Sequence, residues 1–87
     1  MKTIIEDCIY VMGRGTVVVV EFPDELLEYT DDFSYTSKVK AGDKVKIDSV
    51  EYVVKGVEKL STSKFVGLVL GGSGDNIDKF FGKEIEI

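Results

Sequence analysis

The sequence contains no histidine and a single cysteine, and it has no apolar run long enough to cross a membrane. Histidine is the usual general base beside a nucleophilic side chain, so its absence argues against nucleophilic catalysis at Cys8. The same absence removes a common zinc ligand, and we expect no metal and no cofactor. A lone cysteine cannot form an intramolecular disulfide. Together with the lack of a recognisable signal peptide, this predicts a cytoplasmic location and no membrane partner.

Basic side chains are also in the minority. The chain has 16 acidic and 11 basic residues and a formal net charge of −5. Attraction to a phosphate backbone would therefore require a local basic patch that acts against the overall field. The dense basic stretch consists of Lys38, Lys40, Lys44 and Lys46, and these lysines alternate with apolar residues. Such alternation is typical of the solvated face of a strand.

The 87 residues predict one domain, spanning residues 1–87, with one hydrophobic core. Short apolar runs rich in Val, Ile, Tyr and Phe are bounded by glycine or acidic turn residues, a pattern typical of strands. The unbroken run from Val17 to Val20 favours a strand that is covered on both faces or curled into a barrel. We predict six strands, over about residues 3–12, 16–22, 44–47, 50–57, 65–70 and 83–87.

Residues 23–37 interrupt the strand pattern. Pro23 is followed by two acidic residues and then by apolar residues at helical spacing, so one or two helical turns are expected. A connection of about fifteen residues is longer than most and predicts a functional or locally mobile segment. It also predicts an exposed apolar patch for a partner near Leu27, Tyr29 and Phe33, with Tyr35 as a further candidate for partner binding. The aromatic residues Phe80 and Phe81 are further candidates for partner contact.

Two segments that each place glycine before an alternating strand carry opposite outward charges. They are residues 42–47 and residues 82–87. If these strands are neighbours, Lys44 and Lys46 face Glu84 and Glu86, and each cross-strand pair stabilises the sheet by roughly 0.2–1 kcal/mol.

The remaining motifs do not support an enzyme. The glycines between Gly71 and Gly74 lack the lysine and the following helix of a phosphate-binding loop. Carboxylate pairs such as Glu6 and Asp7 are adjacent in strands, so their side chains point to opposite faces and cannot share a proton. No catalytic residue is expected.

Five motifs in order carry a family resemblance: residues 5–9 (Ile-Glu-Asp-Cys-Ile), 13–17 (Gly-Arg-Gly-Thr-Val), 39–45 (Val-Lys-Ala-Gly-Asp-Lys-Val), 54–58 (Val-Lys-Gly-Val-Glu) and 66–70 (Val-Gly-Leu-Val-Leu). In this order the chain resembles the second domain of elongation factor Tu and related translational GTPases. The resemblance implies an all-β fold, as a closed, mainly antiparallel six-stranded β-barrel. No counterpart of the GTPase domain lies within these residues, so GTP binding is not expected.

In that family the domain receives the aminoacyl end of transfer RNA. The resemblance implies that Glu6, Asp7 and Glu58 match acidic positions of the pocket and that Arg14 matches its turn arginine. Three pocket positions differ, because Ile9 replaces an aromatic residue, Ser61 an arginine and Phe65 an asparagine. The pocket is thus only partly matched, which leaves RNA binding as an open alternative.

These observations predict a non-catalytic binding or assembly module with a protein or ribonucleoprotein partner. The alternative is a small acidic inhibitor or immunity-type protein that neutralises a basic partner by charge complementarity. Its structural sign would be the clustering on one face of five acidic residues: Asp24, Glu25, Glu28, Asp31 and Asp32.

Overall fold

The computed structural model describes residues 1–29, 35–59, 64–72 and 77–87, and most of their regular secondary structure is antiparallel β-strand. The all-β class is confirmed. In chain order the elements are β1 (Lys2–Val11), β2 (Gly15–Glu21), a 3-10 turn (Asp24–Leu26), β3 (Leu27–Tyr29), β4 (Tyr35–Ser37), β5 (Lys44–Ile47), β6 (Val50–Val53), β7 (Gly56–Lys59), β8 (Phe65–Gly71), α1 (Ile77–Phe80) and β9 (Glu84–Glu86).

Seven of these strands form one sheet in the order β6-β5-β9-β1-β2-β8-β7, whereas β3 and β4 pair with each other as a separate hairpin. Strand β1 belongs to both halves of the large sheet. Its first residues, Lys2 to Ile4, pair with β9, and the segment from Ile5 to Val11 pairs with β2. We call β6-β5-β9-β1 half-sheet A and β1-β2-β8-β7 half-sheet B.

The chain also passes directly from half-sheet A to half-sheet B at Val54 and Lys55, between β6 and β7. The Val54 N–H donates to the carbonyl of Asp43, at 2.8 Å, beside half-sheet A. The next residue, Lys55, donates its N–H to Val69 on β8 of half-sheet B, at 2.7 Å. The single strand expected over residues 50–57 is therefore two strands joined at a corner.

The described ladders leave the sheet open. Strands β6 and β7 are its two ends, and no ladder joins them within the described residues. The closed six-stranded barrel is therefore not confirmed, and the sheet has seven strands because the corner divides one predicted strand into two.

The inner faces of both half-sheets contribute to one hydrophobic core. Half-sheet A contributes Ile47 and Ile85, and half-sheet B contributes Val18 and Leu68, all of them almost fully buried. Phe22, which follows β2, is the largest fully buried side chain. A single core agrees with the chain length, because so small a domain buries too little surface to form a second core.

The structure changes three predictions about the segments that connect the strands. The helical turn expected in residues 23–37 exists as the 3-10 turn, and among the described residues of this segment the rest of the regular structure is a β-hairpin. Leu27 is 3% exposed and packs in the core, so it does not belong to an exposed patch. Phe80 is also in the core, where its ring meets that of Tyr52 edge to face at 5.4 Å, whereas Phe81 is exposed.

Among the described residues, no helix has the length and apolar character needed to cross a bilayer.

Candidate functional site

The outer face of half-sheet B has an apolar centre. Residues directly opposite each other in antiparallel strands point to the same face. Cross-strand pairing places Ile9, Val17, Val69 and Gly56 in one row, from β1 to β7. In the adjacent row of this half-sheet the side chains point into the core. The residues of the row from Ile9 to Gly56 therefore lie on the outer face. Val17 and Val69 are nevertheless buried, at 2% and 7%, and Ile9 is 44% exposed.

Charged residues stand at both margins of this apolar centre. The neighbouring outward row runs from Asp7 through Val19 and Gly67 to Glu58. Asp7 and Glu58 thus lie at opposite ends of one row, about 14 Å apart for three strand spacings. An apolar centre with a polar rim is the usual arrangement of a protein interface.

An ion pair joins two of the residues that the sequence singled out. Arg14, in the turn between β1 and β2, pairs through its guanidinium with the carboxylate of Glu58 on β7. The pair borders a surface groove of about 450 Å³ that Lys55 and Val69 also line. Both partners of the pair are about half exposed, so their attraction contributes roughly 0–1 kcal/mol to stability. The pair therefore shapes the surface more than it stabilises the fold.

The turn that carries Arg14 approaches β8 closely. A Cβ on Gly15 would lie 2.5 Å from backbone atoms of Gly71, and Gly15 has a φ of +93°. Both conditions exclude other residues at this position. Farther along β8, a Cβ on Gly67 would meet Cγ1 of Val17 at 3.0 Å. These close approaches hold the turn, and with it Arg14, against the outer face of half-sheet B.

The structure places three of the four residues matched by the family resemblance on one face, with Arg14 and Glu58 in contact and Asp7 at the opposite end of its row. Asp7, Arg14 and Glu58 border the same outer face. Glu6 does not, because the register of β1 against β2 shifts between Ile5 and Asp7 and leaves Glu6 as the extra residue of a bulge. Glu6 lines a different groove, beside Pro23 and Asp24.

The candidates in residues 23–37 do not form a described surface. Leu27 is buried in the core. Tyr29 and Tyr35 lie opposite each other in the β3–β4 ladder, and Phe33 falls outside the described residues. Of the three departures from the family pocket, Ile9 lies within the outer face, and Phe65 is 36% exposed at the start of β8. Ser61 falls outside the described residues.

The apolar centre itself was not among the predicted site residues. Its members are Ile9, Val17, Val19 and Val69. The unbroken run from Val17 to Val20 carried a signal, since a strand with solvent on its outer face would alternate with polar residues. The run indicated that both faces of β2 are covered, but it did not reveal that a neighbouring outer position, Ile9, remains exposed.

The outer face of half-sheet A has a different character. One of its rows alternates in charge, from Glu51 through Lys46 and Glu86 to Lys2. Surface ion pairs join Lys2 to Glu84 at 3.6 Å and Lys44 to Glu51 at 3.5 Å. The exposed apolar residues of this face, Ile4 and Val53, therefore lie beside charged residues, whereas the centre of the other outer face is apolar.

The remaining chemistry of the described residues is limited. Cys8 is 6% exposed, and burial raises the pKa of its thiol, with further contributions from the carboxylates of Asp7 and Asp78. A thiol held protonated in this way is a poor nucleophile. No group of three or more potential metal-ligating side chains occurs in the described ranges.

Comparisons with known proteins add no relative to these observations. No family model matches the chain, and neither a search of curated proteins nor one of solved structures found a significant match.

Proposed function

We propose that this chain is a non-catalytic binding module, related to the second domain of translational GTPases, which docks a protein or ribonucleoprotein on the outer face of half-sheet B. The observation that carries the proposal is the exposed Ile9 beside the closely packed valines of that face, with charged residues at its margins. A partner surface that covered Ile9 would remove apolar area from water without displacing any charge at the centre.

The relationship to the translation-factor domain, including its closed barrel, belongs to this proposal. It is supported by the five ordered motifs and by the grouping of Asp7, Arg14 and Glu58. The chain crosses between half-sheets at β1 and again at the Val54–Lys55 corner, as a barrel-like wall would require. The net charge of −5 favours a protein over bare RNA as the partner.

Affinity capture from native lysate tests the proposal, with and without nuclease treatment. The baits are the natural chain, Ile9→Gln and a matched control, Val53→Gln. Val53 lies on half-sheet A and is 48% exposed, close to the 44% of Ile9. Deleting residues 23–37 is not a usable control, because the deletion would remove the core residue Leu27.

The proposal predicts a captured protein that survives nuclease treatment, is lost with Ile9→Gln and is retained with Val53→Gln. Loss of capture on nuclease treatment would identify a ribonucleoprotein. Equal capture by all three baits would contradict the proposed surface.

A second candidate function is the small acidic inhibitor, which a different observation favours. Carboxylates from separate segments, those of Glu6, Glu21 and Glu25, line one groove. The wider cluster expected from the sequence is not established, because Asp31 and Asp32 fall outside the described residues. Co-purification with a basic toxin or enzyme, and inhibition of it by the chain, would test this candidate.

A further inference from the structure

A groove of about 580 Å³ lies where β1 leaves half-sheet A, and neither Arg14 nor Glu58 lines it. Its apolar part comes from Ile4, which is 46% exposed, and from the half-buried Pro23. Its polar part comes from acidic side chains on three separate segments and from two lysines. The groove is thus an apolar strip with a charged margin.

The local structure explains why the carboxylates meet here. Glu6 is the extra residue of the β1 bulge, so it has no partner in the β1–β2 ladder, and it lines the groove. Glu21 ends β2, and Thr3 donates a hydrogen bond from its hydroxyl to the carbonyl of Glu21, at 3.2 Å, which ties the end of β2 to β1. Glu25 follows in the first turn of the 3-10 segment after Pro23.

The two lysines of the groove are already paired. Lys64 bonds Asp24 at 2.7 Å, and Lys2 pairs with Glu84 at 3.6 Å. In the described part of the chain, no cationic group lies within salt-bridge distance of Glu6, Glu21 or Glu25. The groove therefore retains three uncompensated negative charges around its apolar strip.

We propose that this groove binds an arginine- or lysine-rich segment of a partner protein, with the aliphatic stem of a cationic side chain on Ile4 and its head group at Glu6, Glu21 and Glu25. Long basic side chains combine an apolar stem with a charged tip, which is the combination that the groove presents. The net charge of −5 attracts such a segment at long range.

The inference deepens the second candidate function, since it names the groove and the side-chain chemistry of the basic partner. It makes no use of the outer face of half-sheet B. The test distinguishes two other occupants. RNA would bind more weakly than a basic peptide because the chain is negatively charged, and a divalent cation would bind in the absence of any peptide.

Fluorescence anisotropy with a labelled peptide of about ten residues that alternates arginine and serine tests the inference. The same peptide with glutamate in place of arginine, a single-stranded RNA of similar length and calcium alone are the other probes. The test variant is Glu6→Gln, Glu21→Gln and Glu25→Gln combined. The matched control changes the same amount of charge at half-sheet A, through Glu51→Gln, Asp48→Asn and Asp43→Asn, none of which pairs with a lysine of the groove. Thermal unfolding confirms that both variants remain folded.

The inference predicts that the arginine peptide binds the natural chain in a salt-sensitive way and that the groove variant lowers its affinity about tenfold. The half-sheet A variant lowers it by less than about threefold, and Val53→Gln, outside the groove, leaves it unchanged. Equal losses from the two triple variants would show that net charge alone acts and would overturn the inference. Absence of peptide binding, or tighter binding of the RNA or calcium, would also overturn it. Peptide binding at the groove without inhibition of any basic partner would reject the inhibitor function alone.

Discussion

Lys46 lies directly opposite Glu86 across the β5–β9 ladder. Glu86 is in turn opposite Lys2 on β1, and Lys46 is opposite Glu51 on β6. The four strands of half-sheet A therefore carry a row in which each charge faces an opposite charge on every neighbouring strand. The sequence echo between residues 42–47 and 82–87 predicted that Lys44 and Lys46 face Glu84 and Glu86. The facing of Lys46 and Glu86 is confirmed. The facing of Lys44 and Glu84 is wrong, because the antiparallel register places Lys44 opposite Val53 and Glu84 on the β1 side, where it pairs with Lys2.

A double-mutant cycle measures this pair. Lys46→Gln and Glu86→Gln should each destabilise the fold slightly, and the cycle should give a coupling of roughly 0.2–1 kcal/mol from urea unfolding. Neutral replacements are required, because a simple charge swap would place lysine opposite Lys2 and glutamate opposite Glu51. A control cycle that combines Glu86→Gln with Lys55→Gln, at the corner of half-sheet B, should be additive. An additive result for Lys46 and Glu86 themselves would mean that the row does not stabilise the sheet.

The two-residue turn between β5 and β6 is strained. Asp48 and Ser49 both have positive φ, 52° and 66°, where glycine or asparagine is usual. Ser49→Gly should therefore raise the free energy of unfolding by about 0.5–1 kcal/mol, whereas Ser49→Ala, which retains the Cβ, should give no gain. Thermal unfolding of the two variants checks this. A glycine variant no more stable than the alanine variant would count against the turn geometry.

Phe22 and Phe81 should respond differently to truncation. Phe22 is fully buried and Phe81 is 61% exposed. Phe22→Ala should cost about 3–5 kcal/mol, a large share of the roughly 5–15 kcal/mol that stabilises a small domain. Phe81→Ala should change stability by less than about 0.5 kcal/mol. Urea midpoints measure both, and similar midpoints would contradict the assignment of the core.

The buried thiol makes stability depend on pH at the alkaline end. Because the pKa of Cys8 is raised in the folded chain, the unfolded chain loses the thiol proton first. The contribution is complete below the ordinary thiol pKa, about 8.5, and is lost as the pH rises through the folded-state pKa. Stability should therefore fall more steeply above about pH 8.5 in the natural chain than in Cys8→Ala.

Alkylation of Cys8 provides an independent check. Iodoacetamide should modify it only as fast as the chain opens, and denaturant should accelerate the reaction. Rapid modification of the folded chain, or identical pH profiles for the two chains, would show that the thiol is accessible.

Local patterns in the sequence predicted much of the sheet. The turn at Gly13 to Gly15 and the strands beginning at Lys44 and Phe65 follow from glycine placement and alternation, which depend on neighbouring residues alone. Residues 23–37 were harder, because adjacent Leu26 and Leu27 fit a helical turn and a strand equally well. Tertiary packing decides between them, since Leu27 fills part of the core.

The candidate site depended on contacts that no local pattern encodes. The pairing of Arg14 with Glu58 joins a turn and a strand more than forty residues apart, and only the family resemblance named both. Ile9 became a site residue because cross-strand pairing places it beside Val17 on the outer face. The corner at Val54 was missed because its cause is a change of hydrogen-bonding partner, from Asp43 to Val69 one residue later.

Site-specific photocrosslinking tests the central claim, that the outer face of half-sheet B contacts the partner, most directly. A photoreactive phenylalanine analogue is placed at Ile9 in one chain and at Val53 in another, and each is irradiated in native lysate. The account predicts a discrete crosslinked partner from position 9 and none from position 53. Crosslinking from position 53 alone, or equally from both positions, would contradict it.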